Sequence, residues 1–328
     1  HLLLDGKPLP EGKGGPNGYV PDIWKEIKED PKKRDDLVND LAALYGAGLM
    51  RRTQVTGKGP RGVDLSPDGK TLAVAVYFAG EVALADPGTG RVTARIPLGK
   101  NPDPDEIRLG ERHFHDATMC FQHWLSCATC HPEDARADGL NWDLLNDGLG
   151  NPKNARSLIL SHKAPPVMSR GVRDKMEVAV AAGFRHIQFH QAKDEEIDAV
   201  STYLQSLDPE ASPHLKQDGG LTDAAERGEK IFKGKAGCAA CHPAPLFTDK
   251  QMYDVGTEYE LDRGKKFNGK FDTPILHELY RTAPYLHSGK AVTLKDVLTT
   301  FNKEDKHGKT SGLSEKELDD LVAYLMSL

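Results

Sequence analysis

Apolar residues recur at helical spacing in two matching stretches, Glu196-Ile197-Asp198-Ala199-Val200-Ser201-Thr202-Tyr203-Leu204-Gln205-Ser206-Leu207 and Glu317-Leu318-Asp319-Asp320-Leu321-Val322-Ala323-Tyr324-Leu325-Met326-Ser327-Leu328. Each reads as a helix with one buried face, and the agreement between them marks an internal repeat. Ser314 and Glu317 add a capping box to the second copy. Two further helix-like stretches, Gly110-Glu111-Arg112-His113-Phe114 and Gly228-Glu229-Lys230-Ile231-Phe232, each hold a glycine that permits close approach of another chain segment. Upstream the period changes from helix to strand. Arg61–Leu65, Thr71–Phe78, Glu81–Ala85 and Arg91–Leu98 are four short strands separated by the turn clusters Ser66-Pro67-Asp68-Gly69 and Asp86-Pro87-Gly88-Thr89-Gly90. In the second strand Leu72, Val74, Val76 and Phe78 face one way and Ala73, Ala75 and Tyr77 the other, so both faces of the sheet want cover. Residues 21–46 carry an amphipathic pattern on Leu37, Val38, Leu41 and Leu44, interrupted by Pro31 and stopped near Gly46, and are read as a packing helix.

A chain of 328 residues exceeds what one hydrophobic core covers, so about two or three domains are expected. The net charge of −6, from 43 basic and 49 acidic residues, leaves no positive excess to neutralise phosphates, and nucleic acid is excluded as a partner. No apolar run approaches the roughly 20 residues of a membrane helix, so the chain is not membrane-spanning. It begins at His1 with no signal segment, which is read as a start after processing or part-way along a longer polypeptide.

Two of the cysteine pairs carry the chemistry. Cys127-Ala-Thr-Cys130-His131 and Cys238-Ala-Ala-Cys241-His242 both have the pattern C-x-x-C-H, a covalent c-type haem attachment site. Two thiols add to the vinyl groups of one porphyrin, and the adjacent histidine supplies a proximal imidazole to iron. A zinc site or a disulfide also fits C-x-x-C alone, but zinc would have to join pairs more than a hundred residues apart, and neither explains the following histidine twice. Two covalently bound haems are therefore expected, with His131 and His242 as proximal ligands. Attachment of this kind takes place outside the cytoplasm in bacteria, which places the protein in the periplasm or an equivalent compartment. The fifth cysteine, Cys120, is read as a small buried apolar residue.

The order helix, haem motif, loops, closing helix is that of a small cytochrome c domain. The fold class is therefore mainly α, with two tandem cytochrome c-like helical haem domains, residues 104–210 and 219–328, joined through Asp208 to Gly220. Residues 1–103 form an N-terminal β-sheet segment with an inserted helix, resembling one blade of a β-propeller, a fold that needs about four to eight blades. The remaining blades belong to a missing part of the polypeptide or to a partner chain.

With these motifs, Arg281-Thr282-Ala283-Pro284-Tyr285-Leu286-His287-Ser288-Gly289-Lys290 and Asn151-Pro152-Lys153-Asn154-Ala155-Arg156, the chain resembles the bacterial di-haem cytochrome c peroxidase and MauG family over roughly residues 105–328. The strand region with Ser66-Pro67-Asp68-Gly69-Lys70 looks like the final blade of a YVTN-type propeller, which some members carry ahead of the haem domains. The resemblance implies an oxidoreductase in which haem 1 is the centre where peroxide binds and is cleaved, haem 2 transfers electrons, and hydrogen peroxide and an electron-donor protein are the partners. It also implies a calcium ion between the haem domains, held by the side-chain oxygen of Asn154 and the backbone carbonyls of Thr282 and Pro284, oxygen donors that suit calcium. A loop-capping amide is the other reading of Asn154.

Several positions depart from the family. The distal glutamate of the peroxidases falls at Gln188, whose amide cannot act as a general base near neutral pH. His186 or His190 replaces it as proton shuttle, or both are surface histidines before an acidic helix. The methionine of the second haem, a tyrosine in MauG, falls at Phe301, which has no donor atom, so that haem is five-coordinate or capped by another residue, first of all His307. Loss of a thioether ligand lowers the reduction potential relative to a His/Met haem. The tryptophan between the haems falls at Met168, leaving Trp124 and Trp142 as inter-haem aromatics or, by preference, core residues. Three functions remain in contention: a peroxidase-like or MauG-like enzyme, an electron carrier with both irons closed, and a scaffold that docks a partner through its propeller end.

Overall fold

The computed structural model describes residues 30–32, 55, 57–101, 103–144, 152–258, 260–262 and 268–328. The helix expected over 21–46 falls almost wholly outside them. The chain divides into two compact units, His1–Asn101 and Pro102–Leu328.

The first unit holds the four expected strands, β1 (Pro60–Leu65), β2 (Leu72–Val76), β3 (Glu81–Ala85) and β4 (Val92–Pro97), in an antiparallel meander of order β1-β2-β3-β4. Side-chain bonds shape the turns between them. Ser66 Oγ donates to Asp68 Oδ1 at 2.7 Å and the Thr89 N–H to Asp86 Oδ1 at 2.6 Å, and Gly69 and Gly90 take positive φ beside these acceptors. The register pairs Val63 with Val74 and Val74 with Ala83, which puts Leu72, Val74, Val76, Ala83 and Ala85 on one face. Val74, Val76, Ala83 and Ala85 on that face are buried. The opposite face carries Ala73 and Ala75, Val82 and Leu84, and Ala94 and Ile96, with Ala75, Ala94 and Ile96 exposed. Both faces are thus apolar among the described residues.

The second unit is built twice from one plan. Helices α1 (Glu106–His115), α2 (Met176–His186) and α3 (Asp194–Gln205) make the first copy, and α4 (Asp223–Lys233), α5 (Leu294–Leu298) and α6 (Glu315–Met326) the second. Asp105 caps α1 by accepting from the Arg108 N–H, Thr222 caps α4 through the Ala225 N–H, and the expected Ser314–Glu317 box caps α6. The two glycines read as approach points are the crossings. A Cβ on Gly110 would lie 1.9 Å from the Ala199 carbonyl oxygen in α3, and one on Gly228 would lie 1.9 Å from that of Asp320 in α6. One turn on, Phe114 meets Tyr203 at 5.4 Å between ring centres with the rings tilted, and Phe232 meets Tyr324 edge-on at 5.3 Å, contacts that lie in the two cores.

A second repeat, not evident from hydrophobic periodicity, follows each haem motif. Leu160 and Glu278 both take left-handed φ, Pro166 and Pro284 both follow cis bonds, Met168 and Leu286 again have positive φ, and Gly171 and Gly289 close the turn. The bridges Val167 to Arg173 and Tyr285 to Ala291 complete the match. The copies differ ahead of the motif, where Phe114 to Cys127 is seven residues longer than Phe232 to Cys238.

The copies are pinned together by a buried ion pair. Arg136 Nε and Nη2 each donate at 2.8 Å to one oxygen of Glu278, which is 0 % exposed and also accepts the Glu210 N–H at 2.6 Å. The geometry is bidentate, the form in which an enclosed pair recovers most of its desolvation cost.

Candidate haem sites

Each C-x-x-C-H pentapeptide is one tight turn. The His131 N–H donates to the Cys127 carbonyl at 3.0 Å and the His242 N–H to that of Cys238 at 2.9 Å, so both sulfurs and the imidazole are carried by a single turn. Ser126 starts the first, its N–H donating to Thr129 Oγ1 at 3.0 Å; Gly237, with φ of 70°, starts the second. Burial pushes the Cys127 and Cys130 thiols up to about 12 and Cys238 up to about 11. Surroundings that disfavour a thiolate suit a neutral thioether.

His131 and His242, the expected proximal ligands, have pKa values lowered first by burial, which favours neutral imidazole, the form that binds a metal. His242 Nδ1 lies 2.7 Å from the Phe247 carbonyl, which assigns the proton to Nδ1 and leaves Nε2 for iron. His131 Nδ1 is buried with no hydrogen-bond partner.

His307 lies opposite His242. Their ring centres are 6.4 Å apart with the planes at 40°. Metal–imidazole bonds of about 2 Å put two rings across one metal at about this separation, so the pair fits a single iron. Burial, and then repulsion from His242, push His307 down to about 4, and its Nδ1 has no partner. Phe301 is half-buried, and its N–H is bonded to the Asp296 carbonyl.

Of the three distal candidates on the first haem, the structure encloses Gln188 alone. Gln188 is 1 % exposed, and neither its Oε1 nor its Nε2 has a partner. An enclosed amide with both ends unsatisfied costs several kcal/mol unless a bound group completes it. Its backbone is fixed, since the carbonyl accepts the Phe121 N–H at 2.8 Å. His186 is exposed at the end of α2. His190 Nε2 is 3.0 Å from Glu196 Oε2, and its ring packs edge-on against Phe184.

Cys120 is buried as expected. The core preference fails for Trp124, which is 51 % exposed on the longer segment before Cys127; Trp142 is half-buried and donates to Asp138 Oδ2 at 2.8 Å. For Trp142 the carboxylate supplies the acceptor that an indole N–H needs. Met168 lies on the seam between the copies: the Ser169 carbonyl accepts the Asp272 N–H, and a Cβ on Gly171 would lie 3.0 Å from Met252 Sδ.

Asn154 and Pro284 come together. The Asn154 side-chain oxygen is 3.0 Å from the Ala155 carbonyl and 3.3 Å from that of Pro284. The amide is therefore turned so that its Nδ2 donates to both carbonyls, which fits the loop-capping reading of Asn154. Thr282 is half-buried beside them.

Asp272, on the same seam, pairs with Arg156 Nη1 at 3.1 Å. Burial pushes its carboxyl up to about 6, with Arg156 pulling it back and Asp249 adding to the rise. A folded-state value above the ordinary 3.8 means that the stability it contributes is complete below about pH 4 and is lost as pH rises through about 6. The stability gap between Asp272→Asn and the parent chain should therefore widen in favour of the variant from pH 4 to 6 and level off above 7. Urea unfolding at each pH checks this, and parallel curves would refute it.

Residues 107–208 and 225–328 each match the family model for cytochrome c. The chain is 33% identical over 275 residues to the hydrazine synthase subunit gamma of Kuenenia stuttgartiensis, covering 68% of this chain and 77% of that one. It is 26% identical to the cytochrome-c peroxidase IdrP2 of Denitromonas iodatirespirans, covering 78% and 90%, and 27% identical to the methylamine utilization protein MauG of Methylorubrum extorquens, covering 69% and 78%. The chain belongs to the di-haem cytochrome c peroxidase and MauG family. A chain of the solved hydrazine synthase of Kuenenia stuttgartiensis has the same fold, with a TM-score of 0.63 and 28% identity over 73% of this chain and 99% of that one. Membership makes this di-haem protein a peroxidase-like oxidoreductase with covalent c-type haems. Among its described residues no helix is long and apolar enough to cross a membrane. Sequence reasoning missed the Arg136–Glu278 pair and the ties around His307, since ion pairs between residues far apart in the chain leave no periodic signal.

Proposed function

We propose that the haem held by Cys127, Cys130 and His131 is the reactive centre, with hydrogen peroxide as substrate, and that the haem held by Cys238, Cys241 and His242 is an electron-transfer centre closed by His307. Two observations support this reading: a second imidazole 6.4 Å from His242, and the buried, unpaired amide of Gln188 at the position that the resemblance assigns to the distal side of the first haem. The haems supply iron for peroxide reduction and for passing electrons. The residues do the rest. His131 and His242 hold neutral imidazole at the proximal positions. Gln188 offers both a donor and an acceptor to a small polar molecule but cannot take its proton. Reduction of one peroxide to two waters would take two electrons, from a donor protein, and two protons. The resemblance supports calcium on the seam, held by Asn154 and the carbonyls of Thr282 and Pro284. The apolar sheet supports further propeller blades, on another segment or a partner chain, and haem attachment supports a periplasmic or equivalent location.

Low-temperature EPR of the oxidised holoprotein should show one low-spin bis-imidazole iron and one with an open position, and peroxide should shift the Soret band of one haem only. Two closed irons would overturn the reading and leave an electron carrier. An open first iron that ignores peroxide would favour a second reading, a subunit acting on another small molecule. The identity with a hydrazine synthase subunit and the absence of a base at Gln188 favour that alternative.

A further inference from the structure

The loop that carries His307 is organised by one side chain. Asn302, 4 % exposed, lies just beyond α5. Its Oδ1 accepts the His307 N–H at 2.7 Å, and its Nδ2 donates to the carbonyls of His307 at 3.2 Å and Gly308 at 2.8 Å and to Thr310 Oγ1 at 2.7 Å. Thr310 Oγ1 passes the tie to the Leu298 carbonyl at 2.6 Å, the last residue of α5. The Asp305 carboxylate gathers the far side, accepting from the Thr310 and Ser311 N–H groups at 2.9 Å and from Ser311 Oγ at 2.6 Å. At Gly308 the loop passes the haem turn itself, where a Cβ would lie 3.5 Å from Cys238 Sγ, and the Lys309 N–H donates to the Ala236 carbonyl at 2.9 Å.

We infer that Asn302 is the positioning residue that keeps the second iron closed to external small molecules, by holding the backbone on both sides of His307 so that its imidazole stays over the metal. The inference rests on His307 being the distal ligand. Without the side chain, three carbonyl or hydroxyl acceptors and the His307 N–H lose a buried partner at once. A ligand on a fixed loop competes with an external molecule at a high local concentration, and loosening the loop removes that advantage. Residues behind a metal ligand typically change metal affinity about 10–100-fold when replaced.

The test is carbon monoxide titration of the reduced holoprotein followed at the Soret band, with EPR of the oxidised form. The parent chain should take up one carbon monoxide, at the first haem, and show the bis-imidazole signal. Asn302→Ala should take up a second, its affinity at the second haem raised about 10–100-fold towards that of His307→Ala, with the first haem unchanged. Asn302→Asp keeps the acceptor for the His307 N–H but places a carboxylate against two carbonyls, so it should fall between parent and alanine. If the parent lacks the bis-imidazole signal or already binds two carbon monoxides, the reading of His307 fails and this inference with it. If the signal is present and Asn302→Ala still binds one, the role of Asn302 alone is overturned. Should the alanine variant not accumulate with both haems, Asn302→Asp decides on the same criterion.

Discussion

Gln188→Glu should raise the rate constant for reaction with peroxide by about two orders of magnitude or more, because positioned acid–base groups contribute roughly 10²–10⁴-fold. The side chain at 188 is enclosed, has both polar ends free, and has its backbone tied to Phe121, so a carboxyl of the same shape would occupy the same place. What it adds is a proton site. Peroxide cleavage needs a proton taken from one oxygen and delivered to the other, which an amide cannot do near neutral pH. Burial would lift the new carboxyl above the ordinary Glu value, so the gain should follow its ionisation and grow from acid towards neutral pH. Rapid mixing of the reduced protein with peroxide, followed at the Soret band across pH, measures it. An unchanged rate with a pH-independent profile would remove residue 188 from the reaction.

Gly228→Ala should cost the C-terminal haem domain about 3 kcal/mol or more, at the upper end of overpacking losses. The added methyl would meet the Asp320 carbonyl oxygen at 1.9 Å and Tyr324 Cβ at 2.8 Å. Backbone meets backbone there, so no side chain can turn aside and α4 must move away from α6. That movement opens the contact of Phe232 with Tyr324 and the packing around Leu321. Better helix propensity of alanine returns only about 1 kcal/mol. At roughly 2–4 °C per kcal/mol for a unit of this size, the thermal midpoint should fall by about 10 °C. Gly183, in the middle of α2 with nothing within 4 Å of its Cβ direction, is the internal control: Gly183→Ala should leave the midpoint unchanged or raise it slightly. Equal effects at the two glycines would remove the close crossing as the cause.

The strands, the haem turns and the paired closing helices were legible because each leaves a local mark: alternation, a five-residue motif, or helical spacing with a glycine at the crossing. Cys120 was placed because it belongs to neither haem motif. Trp124 was not, since the longer segment before Cys127 has no counterpart in the second copy to compare with. His307 was a candidate because Phe301 lacks a donor atom, while the side chain that organises its loop was invisible: Asn302 bonds to residues five to eight positions away, and an asparagine in a loop has no distinctive pattern. The choice among Gln188, His186 and His190 needed burial, which a loop of mixed residues does not encode.

The carboxylate of Glu278 and the guanidinium of Arg136 have a consequence for how the two halves can move. A twist of one haem domain against the other would pull the enclosed Glu278 carboxylate away from the two Arg136 nitrogens that hold it, leaving a buried charge without its pair. The pair therefore resists rotation of the two C-x-x-C-H turns against each other, and cutting the halves apart would separate the carboxylate from its guanidinium.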